Sequence, residues 1–219
     1  MKFENTEVWG FKHALRGMRN PMNSWDKSDS FVGEDGNFII GDKDLYLAKS
    51  LVKAGREHRK FMRQIFVSVD ITAPLYWWKE FDTYKVGTTA NSTSTMHKLG
   101  TTPISMSCFE TDDMSDMRLS NSDQTTGQMA EDFIRFLERL RQKFIQTKDI
   151  SYWKELIRWL PESWLQTRTV TMNYENIYSI ANQRIKHKLN EWSGAFYPSK
   201  PNFISWVESL PYAEDLIFI

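Results

Sequence analysis

Between Ile65 and Ile71 apolar and polar positions alternate. Ile65, Val67, Val69 and Ile71 fall on one face and Gln64, Ser68 and Asp70 on the other, the pattern of a half-buried strand. Thr72 then reads as a helix cap with Pro74 just inside, so a helix is expected from Ala73 to about Asp82, with Leu75, Trp78 and Phe81 on its buried face. After Tyr84 the periodicity stops. Val86 to Thr95 is Gly, Thr, Asn and Ser, the composition of a polar loop suited to holding a ligand.

On the N-terminal side of this stretch, Val8 to Phe11 suggests an edge strand, and His13, Ala14, Leu15 and Met18 follow at helical spacing. Residues 34–37, Glu-Asp-Gly-Asn, mark a tight turn between Phe31-Val32 and Phe38-Ile39-Ile40. Asp42 is expected to cap a helix carrying Leu45, Ala48, Leu51 and Val52, with Gly55 at its left-handed end. On the C-terminal side, Met106 to Phe109 suggests a short strand, and Glu110 to Gly127 an acidic, Ser/Thr-rich excursion. A long amphipathic helix is expected from about Met129 to Thr147, then a helix capped by Ser151 and ended by Pro161. Trp164 to Thr171 fits no single period. Met172 to Trp192 reads as helix, and Asn202 to Ser209 as a last short one. Strands mixed with helices of this length indicate an α+β chain, and no composition break divides residues 1–219 into more than a single domain.

Composition narrows the function classes. Acidic and basic residues number 28 each, which leaves no basic excess for general nucleic-acid binding. The single cysteine, Cys108, cannot form an intrachain disulfide and suits a reducing compartment. No window approaches the roughly 18 apolar residues of a membrane span, and MKFENTEVWG lacks the apolar run of a signal peptide, so a cytoplasmic protein without membrane attachment is expected. Nine tryptophans supply aromatic mass for a core or a subunit interface.

No standard catalytic signature appears: there is no Gly-rich phosphate loop, nucleophile elbow or HExxH, and the catalytic residues stay unassigned. His13, His58, His97 and His187 are scattered without zinc-ligand spacing, so no metal site is expected. Cys108 reads as a small core residue, and Asp112, Asp113 and Asp116 as a solvated acidic loop. Residues 56–63, REHRKFMR, place five potentially cationic side chains in eight positions. They suit either a phosphate or a solvated surface with Phe61 turned inward.

Two segments resemble the signature regions of the flavin-dependent thymidylate synthases. The strand FVSVDI, the helix APLYWWKEF and the loop after it match in spacing the region leading into the motif RHRxxSxNExSxRY. This puts Asp82-Thr83-Tyr84 on the Arg-His-Arg and Ser92 on the second serine. Leu160-Pro161, then Asn173 twelve positions after the proline and Arg184 eleven after the asparagine, match the second region. The resemblance implies the thymidylate-synthase-complementing-protein-like fold, an antiparallel sheet with long helices. It also implies a homotetramer, FAD as cofactor and a dUMP-like nucleotide ligand, with methyl transfer to form dTMP if the chain is active. Residue by residue, it implies nucleotide-binding roles for Ser92, Arg158 and Arg184, and cofactor-binding roles for Asn173 and Ser179.

The chain also departs from that pattern. Arg-His-Arg is absent, the motif Glu falls on Ala90, its final Arg-Tyr falls on Ser94-Thr95, and a further family Arg falls on Glu175. Asp, Thr and Ser do not reproduce a bidentate guanidinium, and Glu reverses the sign beside a phosphate. Lys79, Lys85, Arg56 and Arg59 are the candidate replacements. Three readings stay open: a divergent enzyme of this type, the same fold as a nucleotide-binding or protein-interaction module, and a structural protein unrelated to it.

Overall fold

Alternation builds the central strand as expected. In β4 (Phe66–Pro74) Val67, Val69, Ile71 and Ala73 are buried, while Ser68, Asp70 and Thr72 face the other side. Those polar residues meet β6 (Leu165–Asn173) in a regular ladder: Ser68 with Thr171 at 3.2 Å, Asp70 with Thr169 at 2.5 Å, and Thr72 with Thr167 at 2.7 Å. Each step of two residues forward on β4 is a step of two backward on β6, so the pair is antiparallel. On its other edge β4 meets β1 (Lys2–Trp9), where Asn5 donates to Asp70 and Trp9 stacks on Phe66, again in antiparallel order. With β5 (Thr89–Ser92) the sheet order is β1-β4-β6-β5.

The computed structural model describes residues 1–112, 114–118 and 123–219. Asp113 and part of the acidic excursion read from the sequence lie outside the described residues. Contacts group the chain into two compact units. The first comprises Met1, Ile71–Thr83 and Asn91–Arg168, and the second Lys2–Asp70, Tyr84–Ala90 and Thr169–Ile219.

The second unit begins with β1 and α1 (Phe11–Arg19), followed by the antiparallel hairpin β2 (Phe31–Val32) and β3 (Phe38–Ile39) and by α2 (Asp42–Lys53). Gly41, not Asp42, occupies the cap of α2, because the Asp29 carboxylate arrives from outside and accepts from the N–H groups of Lys43 and Asp44. Gly55 takes φ of 106° beyond the helix end, as the sequence suggests. At the centre lies a buried ion pair. Arg19 Nε donates to Asp44 at 2.5 Å, and the Ser28 and Ser30 hydroxyls donate to the second carboxylate oxygen at 2.6 Å each. Burial pushes the Asp44 carboxyl up, but the hydrogen bonds from Ser28, Ser30 and Arg19 and the Arg19 charge outweigh it and hold the group below the ordinary carboxylate range.

The first unit holds α3 (Leu75–Phe81), α4 (Thr95–Thr101), α5 (Thr126–Thr147) and α6 (Ile150–Arg158). Leu99, Ile104, Phe109, Leu137, Leu156 and Trp164 form one buried cluster there, with Phe133, Ile134, Leu140 and Ile157 against it. The helix expected from Ala73 starts at Leu75, because β4 continues through Pro74 and the Thr72 hydroxyl bonds Thr167 instead of capping. The helix expected at Met129 begins at Thr126, capped by Thr125 and Gln128 in a reciprocal box. Asp149 rather than Ser151 caps α6, accepting from the Ser151 N–H. Met106–Cys108 is a 3-10 turn instead of a strand, though Phe109 makes a single bridge to Trp164. Cys108 is half-buried and free, its thiol directed at the Pro103 carbonyl.

Met172 to Trp192 resolves into three pieces. The strand β6 runs to Asn173, α7 spans Tyr174–Arg184, and α8 (Asn190–Ser193) follows a break. The strand owns Val170 and Met172, both buried, and the helix takes over with Tyr174, Ile177 and Ile180. In the break His187 Nδ1 accepts from the Leu189 N–H. The chain closes with α9 (Phe203–Glu208), capped by Asn202, and α10 (Ala213–Leu216). Among the described residues no helix is long and apolar enough to cross a membrane.

Candidate functional site

Helix α7, in the second unit, carries three of the residues singled out from the sequence. Asn173 is its N-cap, accepting from the Asn176 N–H at 3.0 Å while the Asn176 side chain accepts from the Asn173 N–H. Ser179 lies on the next turn and accepts from Gln183 Nε2 at 3.3 Å. Arg184 is in the last turn, about 16 Å of helix from the cap.

The segment Tyr84–Ala90 is fastened to both ends of that helix. At the C-terminal end Arg184 Nε donates to the Tyr84 hydroxyl at 2.9 Å, and the Tyr84 hydroxyl donates to Gln183 Oε1 at 3.1 Å. The Arg184 guanidinium also lies 5.0 Å from the Trp192 ring. At the N-terminal end Asn176 Nδ2 donates to the Val86 carbonyl at 2.6 Å. Next to it Gly87 adopts φ of 75°, where a Cβ would stand 2.9 Å from Asn176 Oδ1 and 3.1 Å from Asn173 Nδ2. Gly87→Ala therefore meets both a left-handed backbone and the capping box. It is expected to lower stability by about 1–2 kcal/mol, read as a shift in urea midpoint. The Thr88 hydroxyl oxygen is buried and has no hydrogen-bond partner among the described residues.

Glu175, in the first turn of α7, accepts from Arg63 Nε at 2.8 Å and from Arg59 Nε at 3.4 Å. Arg59 lies 4.2 Å over the Tyr178 ring. The hydrogen bond and charge of Glu175 raise the Arg63 pKa further, so this guanidinium keeps its proton throughout the working pH range. The basic run REHRKFMR thus divides in three: Phe61 and Met62 are buried, Arg59 and Arg63 converge on Glu175, and Arg56, His58 and Lys60 are exposed.

In the first unit the two other candidates lie at the surface. Ser92 ends β5 and is exposed. Arg158 ends α6, with its guanidinium on Glu155. Asp82, which the resemblance sets on the first arginine of Arg-His-Arg, accepts from Arg168 Nη1 at 2.7 Å. Arg168 lies 4.2 Å over the Trp78 ring and also donates to Gln166 Oε1. Of the cations named as replacements, Lys79 pairs with Glu162 at 2.6 Å, Arg59 is held by Glu175, and Lys85 and Arg56 are exposed. Arg168 is not a site candidate in the sequence; its only signal there is that the acid at a motif position, Asp82, must find a cation, whereas Arg63 belongs to the basic run read as suiting a phosphate. Among the described residues no group of three His, Cys, Asp or Glu side chains converges as a metal site.

No family model matches the chain, and no curated protein matches it in sequence. Solved structures do match, over the full length. The flavin-dependent thymidylate synthase ThyX from Helicobacter pylori, complexed with FAD and dUMP, superposes with a TM-score of 0.66 at 15% identity, covering 99% of this chain and 98% of that one. A second ThyX structure from Helicobacter pylori with FAD and dUMP gives 0.65 at 15% identity, with 99% and 97% coverage. The UMP/dUMP methylase PolB from Streptomyces cacaoi, bound with 5-Br dUMP, gives 0.57 at 12% identity, with 99% and 94% coverage. The α+β fold with an antiparallel sheet is thus the ThyX fold.

Proposed function

We propose that this chain is a divergent relative of the flavin-dependent thymidylate synthases that binds a dUMP-like nucleotide along α7 and the segment Tyr84–Ala90. The observation that carries this reading is the full-length match to enzymes solved with dUMP or its 5-bromo analogue, with 99% of this chain covered. In it Arg184, steadied by Tyr84, pairs with the nucleotide phosphate, and the buried Thr88 hydroxyl supplies a donor to a ligand oxygen. Ser92 and Arg158 are proposed as further nucleotide contacts, and Asn173 and Ser179 as the residues a cofactor would lie against if one were retained. We further propose a homotetramer in the cytoplasm, in keeping with the resemblance.

Flavin is the group that resemblance implies, and the motif positions do not fit it. Asp82 and Glu175 stand on family arginines, and each is already an acceptor inside a protein ion pair, so neither can donate to a diphosphate. We derive no catalytic step through flavin. The reading favoured by these two acids is nucleotide binding without the family's methyl transfer. An absorbance spectrum of the purified protein, alone and after adding FAD and desalting, is expected to show no stoichiometric flavin. A retained flavin spectrum would restore the enzyme reading and justify a dUMP methylation assay.

A further inference from the structure

Two arginines on one 3-10 turn, Arg59–Gln64, reach the same carboxylate, and each uses only one donor to do so. Arg59 and Arg63 both contact Glu175 through Nε, and among the described residues no group accepts a hydrogen bond from the Nη nitrogens of either. Arg59 is fixed a second time by the Tyr178 ring beneath it. Its side chain is 16% exposed and that of Glu175 13%, so the brace is largely shielded, whereas Arg63 is 45% exposed and reaches solvent. The cluster carries one uncompensated positive charge. A guanidinium whose Nε is anchored presents its two Nη groups as a fork of fixed direction, the geometry that receives two oxygens of one phosphate or carboxylate. Arginines that merely balance Glu175 would be satisfied by one partner; the second leaves a preorganised donor set in excess.

We propose that Arg59 and Arg63, braced by Glu175 and Tyr178, form an oxoanion site separate from the phosphate assigned to Arg184, which stands nine residues, about 13 Å, further along α7 than Glu175. Glu175 is a positioning residue here, holding two cations from another part of the chain where a single arginine would otherwise stand. The inference does not rest on the nucleotide reading, since the donors are the chain's own and the nucleotide phosphate is assigned to Arg184.

The test is calorimetric titration of the full chain at low salt with inorganic phosphate, pyrophosphate, dUMP and deoxyuridine. Arg63→Gln removes the exposed member, and Arg56→Gln removes an exposed cation outside the pair; circular dichroism confirms that both stay folded. Pyrophosphate is expected to bind the wild type, to weaken roughly tenfold or more in Arg63→Gln, and to change less than about twofold in Arg56→Gln. Deoxyuridine affinity is expected to be the same in all three proteins. If only phosphate and pyrophosphate weaken in Arg63→Gln the site takes a separate oxoanion, and if dUMP weakens as well the nucleotide phosphate sits here in place of Arg184; both outcomes support the pair as the site. No binding of phosphate or pyrophosphate at millimolar concentration, or equal losses in the two variants, overturns the proposal. dUMP binding that depends on Arg184 but not on Arg63, with no pyrophosphate binding, would remove this site and leave the nucleotide reading standing.

Discussion

Asp44→Ala is expected to destabilise the protein by about 3–5 kcal/mol, because it strands the Arg19 guanidinium in a buried place with its partner gone. The Arg19 side chain is 6% exposed and that of Asp44 is fully buried, so water does not replace the carboxylate. The Ser28 and Ser30 hydroxyls, both aimed at the same oxygen, lose their acceptor as well. The pH dependence carries the same signature. The folded pKa of Asp44 lies below its unfolded value of about 4, so its contribution is present above that pH and is lost as pH falls through the folded value. Urea midpoints of wild type and Asp44→Asn between pH 7 and pH 3 should therefore converge toward the acid end. A constant gap across that range would mean that the pair does not hold the carboxylate ionised.

A loss of similar size is expected in the first unit from Trp78→Ala. Trp78 is 1% exposed, packs edge-on against Trp77 at 4.9 Å and Phe81 at 5.4 Å, and donates through Nε1 to the Gln166 carbonyl at 2.9 Å. Truncation leaves a large cavity and an orphaned carbonyl, together about 3–5 kcal/mol. It also removes the ring under Arg168, so the Arg168–Asp82 pair loses its support. Trp78→Phe keeps most of the volume and should cost about 1–2 kcal/mol, the hydrogen bond being the main loss. Denaturant unfolding followed by tryptophan fluorescence and by far-ultraviolet circular dichroism measures both variants.

Which features the sequence disclosed follows from how each one is stabilised. β4 is legible because one face is buried and the other pairs with threonines, so the alternation is written residue by residue. β5 is exposed at all four positions and has no alternation to read; backbone pairing alone makes it a strand. The boundary between β6 and α7 is hidden because Met172 and Tyr174 continue an apolar run that fits either period, and the Asn173 cap decides it. The same limit applies to the candidate site. Spacing alone puts Asn173 and Arg184 at opposite ends of one helix. The partner of Arg184 is Tyr84, 100 positions away, and those of Glu175 are Arg59 and Arg63, more than 110 positions away; no local pattern encodes such pairings.

The most direct measurement is the thermal unfolding of wild type and Arg184→Ala with and without dUMP. At a hundred times its dissociation constant a ligand stabilises the folded state by about 2.7 kcal/mol, a shift of several degrees. The account predicts that shift in the wild type and its loss in Arg184→Ala, each protein being compared with its own unfolding in buffer. No shift in the wild type at millimolar dUMP, or an equal shift in the variant, would contradict it.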